Sequence, residues 1–476
     1  MNGRLLAVVS SCVAISVGVA GAGELQVGAA SAKVTPPLGV PMAGYYSERL
    51  AEGVHDDLWA KAIVLEKDGV KAALVALDLI STKREIVEAA RDEIHKQTGI
   101  PGAHVMISAT HAHTGPILSG GSKRIDALGG KRPVAEQYTA DLPGRIVEAI
   151  KAAHGRIAAA KTSAALGREE HLSFNRRFHM KDGTVGWNPG KLNPNILRPV
   201  APIDPEVPLV YWESASGKPL AAYVNFAMHL DTVGGLQLSA DYPYTLARLL
   251  SEFKGPEMLA VFTVGTCGDV NHVNVHWANP QKGHGEAARI GTILAAEALK
   301  TFERLQPVEA TRLAVRTEIV PLALPKIQPG EVEKARQIAA RHSAKQGKQP
   351  SFLETVNAYK VLDVQARQGK PLEAEVQVIA LGRDLAWVGL PGEVFVELGM
   401  AIKAASPFER TIVVELANGS IGYVPTKRAY AEGNYEAVSA RCAEGSGELL
   451  VDASLRLLRQ LYAEALPKKA DGDNAK

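Results

Sequence analysis

Two histidines one residue apart, His111-Ala112-His113, follow the apolar run Val105-Met106-Ile107. In an extended chain residues i and i+2 share a face, so both imidazoles can point at one spot. Such a pair suits a metal, and it also suits two hydrogen-bonded histidines in a turn. A third histidine, His229, closes the strand-like run Tyr223-Val224-Asn225-Phe226-Ala227-Met228, and alone it would carry little weight. Three more polar clusters occupy the same kind of position, just past an apolar run. They are Gly265-Thr266-Cys267-Gly268-Asp269-Val270-Asn271, Pro391-Gly392-Glu393 and Gly422-Tyr423-Val424-Pro425-Thr426. In open α/β sheets, ligands bind beyond the carboxyl ends of strands. Two or three His with one Glu form a sensible ligand set for Zn2+, with water completing a catalytic site.

Composition narrows the chemistry further. The chain has 476 residues but only 3 Cys, which excludes a disulfide scaffold and a Cys-rich zinc ribbon. Any metal must therefore be held by His and carboxylates. Lys and Arg total 53 against 51 Asp and Glu, a net +2 that argues against a nucleic-acid partner bound by bulk charge. Charged residues make up 22% and the mean hydropathy is −0.02, a globular composition with ample apolar material for a core.

The amino terminus combines Arg4, an apolar run over 5–19 and Ala20-Gly21-Ala22. That pattern predicts a secretory signal peptide over 1–22, cleaved before Gly23, and hence a periplasmic or secreted protein. The run is shorter than the roughly 20 residues needed to span a bilayer, and no later stretch is long enough. Two cysteines remain after cleavage, Cys267 and Cys442, which could pair outside the cytoplasm.

The elements that must position these clusters alternate along the chain. Strand patterns lie at 60–65, 72–79, 104–108, 220–226, 258–264, 384–390 and 410–416. Helical patterns lie at 84–97, 133–153, 243–253, 285–302, 330–341, 353–368 and 448–466. The alternation predicts an α/β fold: mixed sheets with flanking helices in one two-lobed catalytic domain over 23–466. Helices around 330–370 fit a small lobe or a lid. Residues 173–205, rich in Asn, Pro, Gly and Arg, read as a long ordered loop, and 467–476 as a flexible tail. His272, His276 and His284 follow the Cys267 cluster in a loop and fit surface positions, while His55 fits a turn or the edge of a site. H-E-x-x-H and G-x-S-x-G are absent, and the Thr114-Gly115-Pro116 that follows the histidine pair does not suit a metallo-β-lactamase.

In order along the chain, these clusters resemble the neutral/alkaline non-lysosomal ceramidase family. The resemblance is carried by Val34-Thr35-Pro36-Pro37, Met42-Ala43-Gly44-Tyr45, Gly53-Val54-His55-Asp56 and Ala76-Leu77-Asp78-Leu79. It continues in Ala109-Thr110-His111-Ala112-His113-Thr114-Gly115-Pro116, Asn175-Arg176, Asn225-Phe226-Ala227-Met228-His229, Gly268-Asp269-Val270, Pro391-Gly392-Glu393 and Tyr423-Val424-Pro425-Thr426. It implies a zinc amidohydrolase that cleaves an N-acyl amide of a lipid or small-molecule substrate, with scope for peripheral membrane contact. His111, His229, Glu393 and Tyr423 match the metal ligands. His113 matches a histidine beside the activated water, suited to polarising an oxyanion or protonating the departing amine. The residues alone would put both imidazoles of the H-x-H on zinc; the resemblance puts one there. Tyr423 would also donate to the oxyanion, and Arg176 would orient a polar substrate group unless it forms a surface salt bridge.

Two departures bear on the substrate. Asn271 stands where the family has a serine at the reaction centre, and it has hydrogen-bonding capacity but no nucleophile. The immunoglobulin-like carboxy-terminal domain expected of the family does not follow residue 466 in this sequence. Both leave room for a non-lipid substrate such as an acylated amine, an ester or a sugar derivative.

Overall fold

The computed structural model describes residues 23–345 and 348–465; the expected signal peptide and tail lie outside them. Strands Trp59–Lys67 and Val70–Leu77 form an antiparallel hairpin across Asp68-Gly69, both in the left-handed region that a two-residue turn demands. Helix Arg84–Thr98 then crosses the sheet so that Val105–Ala109 can pair parallel to Val70–Leu77. A parallel pair needs such a crossover, because no tight turn can reverse the chain twice. The same order recurs twice. Glu206–Ser214 and Pro219–Phe226 precede helix Tyr242–Lys254 and the parallel strand Leu259–Val264. Leu372–Leu381 and Leu385–Gly389 precede helix Val396–Ala405 and the parallel strand Arg410–Val414.

The first two units share a nine-stranded mixed sheet, joined through the central strands Gln26–Lys33 and Ala158–Arg168. The third unit, with Leu313–Leu322, forms a four-stranded sheet. The sheets face each other across one apolar layer in which Ile63, Leu74, Tyr223 and Val261 meet Val315, Ile379, Trp387 and Ile412. Trp212 and Trp387 stack across this layer at 6.3 Å. Helices cover the outer faces. Arg84–Thr98 and Pro133–His154 cover one half of the large sheet, and Tyr242–Lys254 and His284–Thr301 cover the other. Ser446–Glu464 covers the small sheet. Each helix turns one apolar stripe inward, as with Leu142, Ile146, Ala149, Ile150 and Ala153. Burying one such aliphatic side chain is worth about 1.5–3 kcal/mol. Gly28 permits this helix to sit close, since a Cβ there would meet the Ala153 carbonyl at 2.1 Å.

The seven predicted strands and seven predicted helices are all present with ends within three residues of those expected. Five further long strands, of eight or more residues, were not anticipated: Gln26–Lys33, Ala158–Arg168, Glu206–Ser214, Leu313–Leu322 and Leu372–Leu381. The region 173–205, expected to be a long ordered loop, contains regular strands. Arg177–Met180, Val185–Trp187 and Ile196–Pro199 form a small antiparallel sheet within it. Helices Glu331–Ala344 and Phe352–Ala366 pack as a pair with their own core of Ala335, Ile338, Ala358 and Val361. Cys267 and Cys442 are both buried free thiols.

One short segment binds the two sheets together. Beyond Arg410–Val414, the Glu415 amide donates to the Val264 carbonyl, and the Leu416 carbonyl accepts from Ala109 N. Asn418 donates to the Ile107 carbonyl through its amide and accepts from Ile107 N through Oδ1 at 2.9 Å. Residues 415–418 thus bridge the two outer strands of the large sheet. The Glu415 carboxyl accepts from Cys267 N at 3.0 Å and Val394 N at 2.9 Å, and takes the Cys267 thiol at 3.0 Å. Burial pushes its pKa up to about 8, so it carries a proton at pH 7. The folded protein then keeps a proton that an unfolded chain releases near pH 4.5. Stability from this group is full below that pH and declines as pH rises to about 8. With a chelator present, Glu415→Gln should flatten that decline in urea unfolding and so gain on wild type as pH rises from 4.5 towards 8, whereas Glu415→Ala should cost about 2–6 kcal/mol by orphaning two buried N–H groups. An unchanged pH profile in the Gln variant would contradict the assignment.

Candidate metal centre

His111 stands two residues past Val105–Ala109 with a φ of 78°, an unusual conformation for a residue with a side chain. Such strain costs on the order of 1–3 kcal/mol and persists only where the surroundings enforce it. The His111 and Ala112 amides both donate to the Leu79 carbonyl, and His111 Nδ1 donates to the Ile80 carbonyl at 2.8 Å. His229, three residues past Pro219–Phe226, donates Nδ1–H to the Cys267 carbonyl at 2.8 Å. With both Nδ1 atoms committed as donors to carbonyls, each Nε2 carries a lone pair. These two Nε2 atoms lie 3.0 Å apart. Glu393 Oε2 lies 3.4 Å from His111 Nε2 and 3.6 Å from His229 Nε2. Three lone pairs therefore converge on one buried point, and only a cation or a proton reconciles them.

The electrostatics say the same. Burial opposes charge on His111, yet the Glu393 carboxylate raises its pKa. Burial pushes His229 down to about 4, helped by Arg176 and His111. Glu393 is held well below the usual carboxylate range, against its burial, by His111 and His229. Nitrogen and oxygen donors in this number suit zinc or a neighbouring first-row divalent ion.

His113 joins the group, with potential donor atoms of His111, His113 and His229 all within 4.8 Å of one another. Its Nε2 lies 3.2 Å from His111 Nε2, and its ring stands 5.6 Å from that of His229, edge to face. It is less buried than the other two, and among the described residues no carbonyl fixes its Nδ1. Burial and the neighbouring His111 hold its pKa well below the ordinary value, so it is neutral. Gly44 packs against it; a Cβ there would come within 2.7–2.9 Å of His113.

Glu393 and Tyr423 are placed by the short parallel pairing of Glu393–Val394 with Tyr423–Val424, which sets them side by side. Gly268 lies against this strand so closely that a Cβ would meet the Glu393 carbonyl at 2.5 Å. Asp269 anchors the next helix by accepting from Val396 N at 2.8 Å and from Asn175 Nδ2 at 2.9 Å. The Tyr423 hydroxyl accepts from Arg176 Nη2 at 3.1 Å, and burial together with Glu393 raises its pKa well above the usual value. Arg176 forms no surface salt bridge. It is buried, donating to Glu436 at 2.8 Å and to the Gly268 carbonyl at 2.7 Å. Arg177 takes the other oxygen of Glu436 at 3.0 Å. Asn271 is buried and pairs across Val270–Asn271 with Phe174–Asn175. Its Nδ2 donates to Asn188 at 3.1 Å and its Oδ1 accepts from Val273 N at 3.0 Å.

The remaining histidines divide. His272 is not at the surface: it is buried, with Nδ1 3.1 Å from Asp231 and Nε2 2.7 Å from the Gln281 carbonyl. The His272 partnership holds the Asp231 carboxyl well below its usual range despite burial, and that charge also reaches His229 and His113. His55 and His284 stack at 3.6 Å, distant in sequence but joined by the fold. His276 is exposed. Asp231, two residues past His229, and Glu415, at the end of a predicted strand, were missed by the sequence reading. Their positions beyond strand ends were the available signal.

No protein-family model matches the chain, and no curated protein matches it. Solved structures do. The neutral ceramidase from Pseudomonas aeruginosa superposes with a TM-score of 0.73 at 20% identity, over 94% of this chain and 76% of that one. A structure described as ceramidase complexed with C2 superposes at 0.70 and 19% identity, over 94% and 77%. At this level of identity the likeness establishes architecture, and the architecture of this chain is the mixed α/β fold of the neutral ceramidases.

Proposed function

We propose that this protein is an exported zinc-dependent hydrolase that cleaves an N-acyl amide, ceramidase-like in mechanism and with a ceramide-like lipid amide as its substrate class. The observation that carries the reading is the convergence of two Nε2 lone pairs and one carboxylate on a single buried point. His111, His229 and Glu393 would hold the ion, with Tyr423 beside Glu393 as the fourth candidate ligand. When bound, zinc supplies Lewis acidity, lowering the pKa of water from 15.7 to about 7 and polarising a carbonyl. The ceramidase likeness supports hydrolysis of an amide; the zinc identity and the substrate are the proposal.

The chain's own residues supply the proton chemistry. Neutral His113 presents Nε2 at the site with no carbonyl fixing its tautomer, so it can take a proton and pass it to a departing amine. Arg176 donates to the Tyr423 oxygen, which turns the phenolic proton away from the guanidinium and frees it for a substrate carbonyl. The Glu436 carboxylate holds Arg176 in that pose. Asn271 has both amide atoms engaged, leaving one N–H to offer and no nucleophile. Attack therefore falls to water.

A second reading keeps the same centre for a non-lipid acylated amine, ester or sugar derivative, favoured by Asn271. Export and a single catalytic unit over 23–466 belong to the proposal; among the described residues no helix is long and apolar enough to cross a membrane.

The purified full chain should hold about one zinc per molecule. His111→Ala, His229→Ala and Glu393→Ala should lose both metal and amidase activity; stoichiometric zinc in these variants, measured by elemental analysis, would overturn the ligand assignment. His113→Ala should keep its zinc and lose about 10²–10⁴-fold in kcat. Loss of zinc in that variant would instead place His113 on the metal.

A further inference from the structure

From Tyr423 beside Glu393, aromatic rings run outward in unbroken contact. Tyr423 meets Tyr435 at 5.3 Å, and Tyr435 meets Phe352 at 5.1 Å and Trp187 at 4.5 Å. Phe352 meets Tyr46 at 5.4 Å. Four separate parts of the chain supply this arc: the segment from Tyr423 to Tyr435, the small sheet within 173–205, the start of helix Phe352–Ala366 and the amino-terminal segment. At its end the Arg124 guanidinium lies over the Tyr46 ring, 4.9 Å from the centroid.

Arg124 differs from the other sheltered arginines. Arg91, Arg176, Arg177 and Arg441 each hold a carboxylate. Arg49 holds three backbone carbonyls, those of Ala43, His113 and Gly235. Among the described residues Arg124 pairs with neither kind of group, and its Nε is buried without a hydrogen-bond partner. A guanidinium stays charged in any protein environment, so a half-buried one without an anion is an incomplete pair. Burial opposes its charge, while Tyr46, whose side chain also hydrogen-bonds it, Tyr435 and Glu393 raise its pKa.

We propose that Arg124 binds an anionic group of the substrate, making the preferred substrate an N-acyl amine that carries a carboxylate, sulfonate or phosphate. The guanidinium fork matches such groups with two parallel N–H donors, while the aromatic arc covers the apolar part of the molecule. This inference rests on the amidase reading and sharpens its substrate class beyond a neutral lipid amide.

The test compares N-lauroylglycine with N-lauroylethanolamine, equal in acyl chain and different in charge, on the zinc-loaded full chain. Wild type should cleave the acidic amide with the higher kcat/KM. Arg124→Gln should lower kcat/KM for N-lauroylglycine by about 10–100-fold and for N-lauroylethanolamine by less than about threefold. Arg124→Lys should retain part of the discrimination, and both variants should keep their zinc and melting temperature. Equal losses on the two amides, or a wild-type preference for the neutral one, would overturn the proposal. If neither compound is cleaved, the amidase reading fails, and calorimetric titration of the same two compounds decides Arg124 on its own. Tighter binding of the acidic compound, lost in Arg124→Gln, supports the anion site; equal binding overturns it.

Discussion

Two imidazole nitrogens facing each other at 3.0 Å, each left with a lone pair because the carbonyl behind its ring holds the proton on Nδ1, are an arrangement that a folded chain does not tolerate without compensation. A carboxylate at 3.4–3.6 Å completes the demand for positive charge. Everything nearby keeps that demand in place. The Ile80 and Cys267 carbonyls fix the tautomers, and His111 accepts a left-handed backbone so that its ring can reach the point. Glu415, buried a short way behind, remains protonated and so adds no second negative charge. Asp231 is matched to His272 rather than to the histidine cluster alone.

The fold is the device that brings these groups together. Three hairpin–helix–strand units end their strands toward the same region, and each contributes one part of the cluster. His111 comes from the first, His229 and the Cys267 carbonyl from the second, and Glu393 and Tyr423 from the third. Two of these units share one sheet and the third belongs to another, so the centre is correct only if the two sheets keep their relation. The segment 415–418 enforces it by bonding at once to Val264, to Ala109 and Ile107, and to the amides of Cys267 and Val394. The solved ceramidases share this architecture at 19–20% identity.

Much of this was legible in the sequence because β-branched runs followed by Gly, His, Asn and Glu announce strands that end in a site. Four of the five long strands that escaped have an identifiable reason. Gln26–Lys33 and Ala158–Arg168 are built from Ala, Gly and Ser, residues of low strand propensity, because helices and neighbouring strands pack tightly against them. Glu206–Ser214 and Leu313–Leu322 each contain a proline that weakens the pattern. His272 looked like a surface residue, since its burial depends on contacts with Asp231, forty-one positions away, and with the Gln281 carbonyl. The H-x-H pair suggested two equivalent ligands. The difference between His111, anchored at Nδ1, and His113, not so anchored, lies in a carbonyl thirty-one positions away from His111.

Zinc K-edge X-ray absorption on the purified full chain addresses the central claim most directly. The account predicts a shell of nitrogen and oxygen alone, at about 2.0–2.2 Å, with the outer scattering of two imidazoles. Scattering at about 2.3 Å from sulfur would contradict it by bringing the Cys267 thiol into the shell, and a protein that takes up no zinc would contradict it outright.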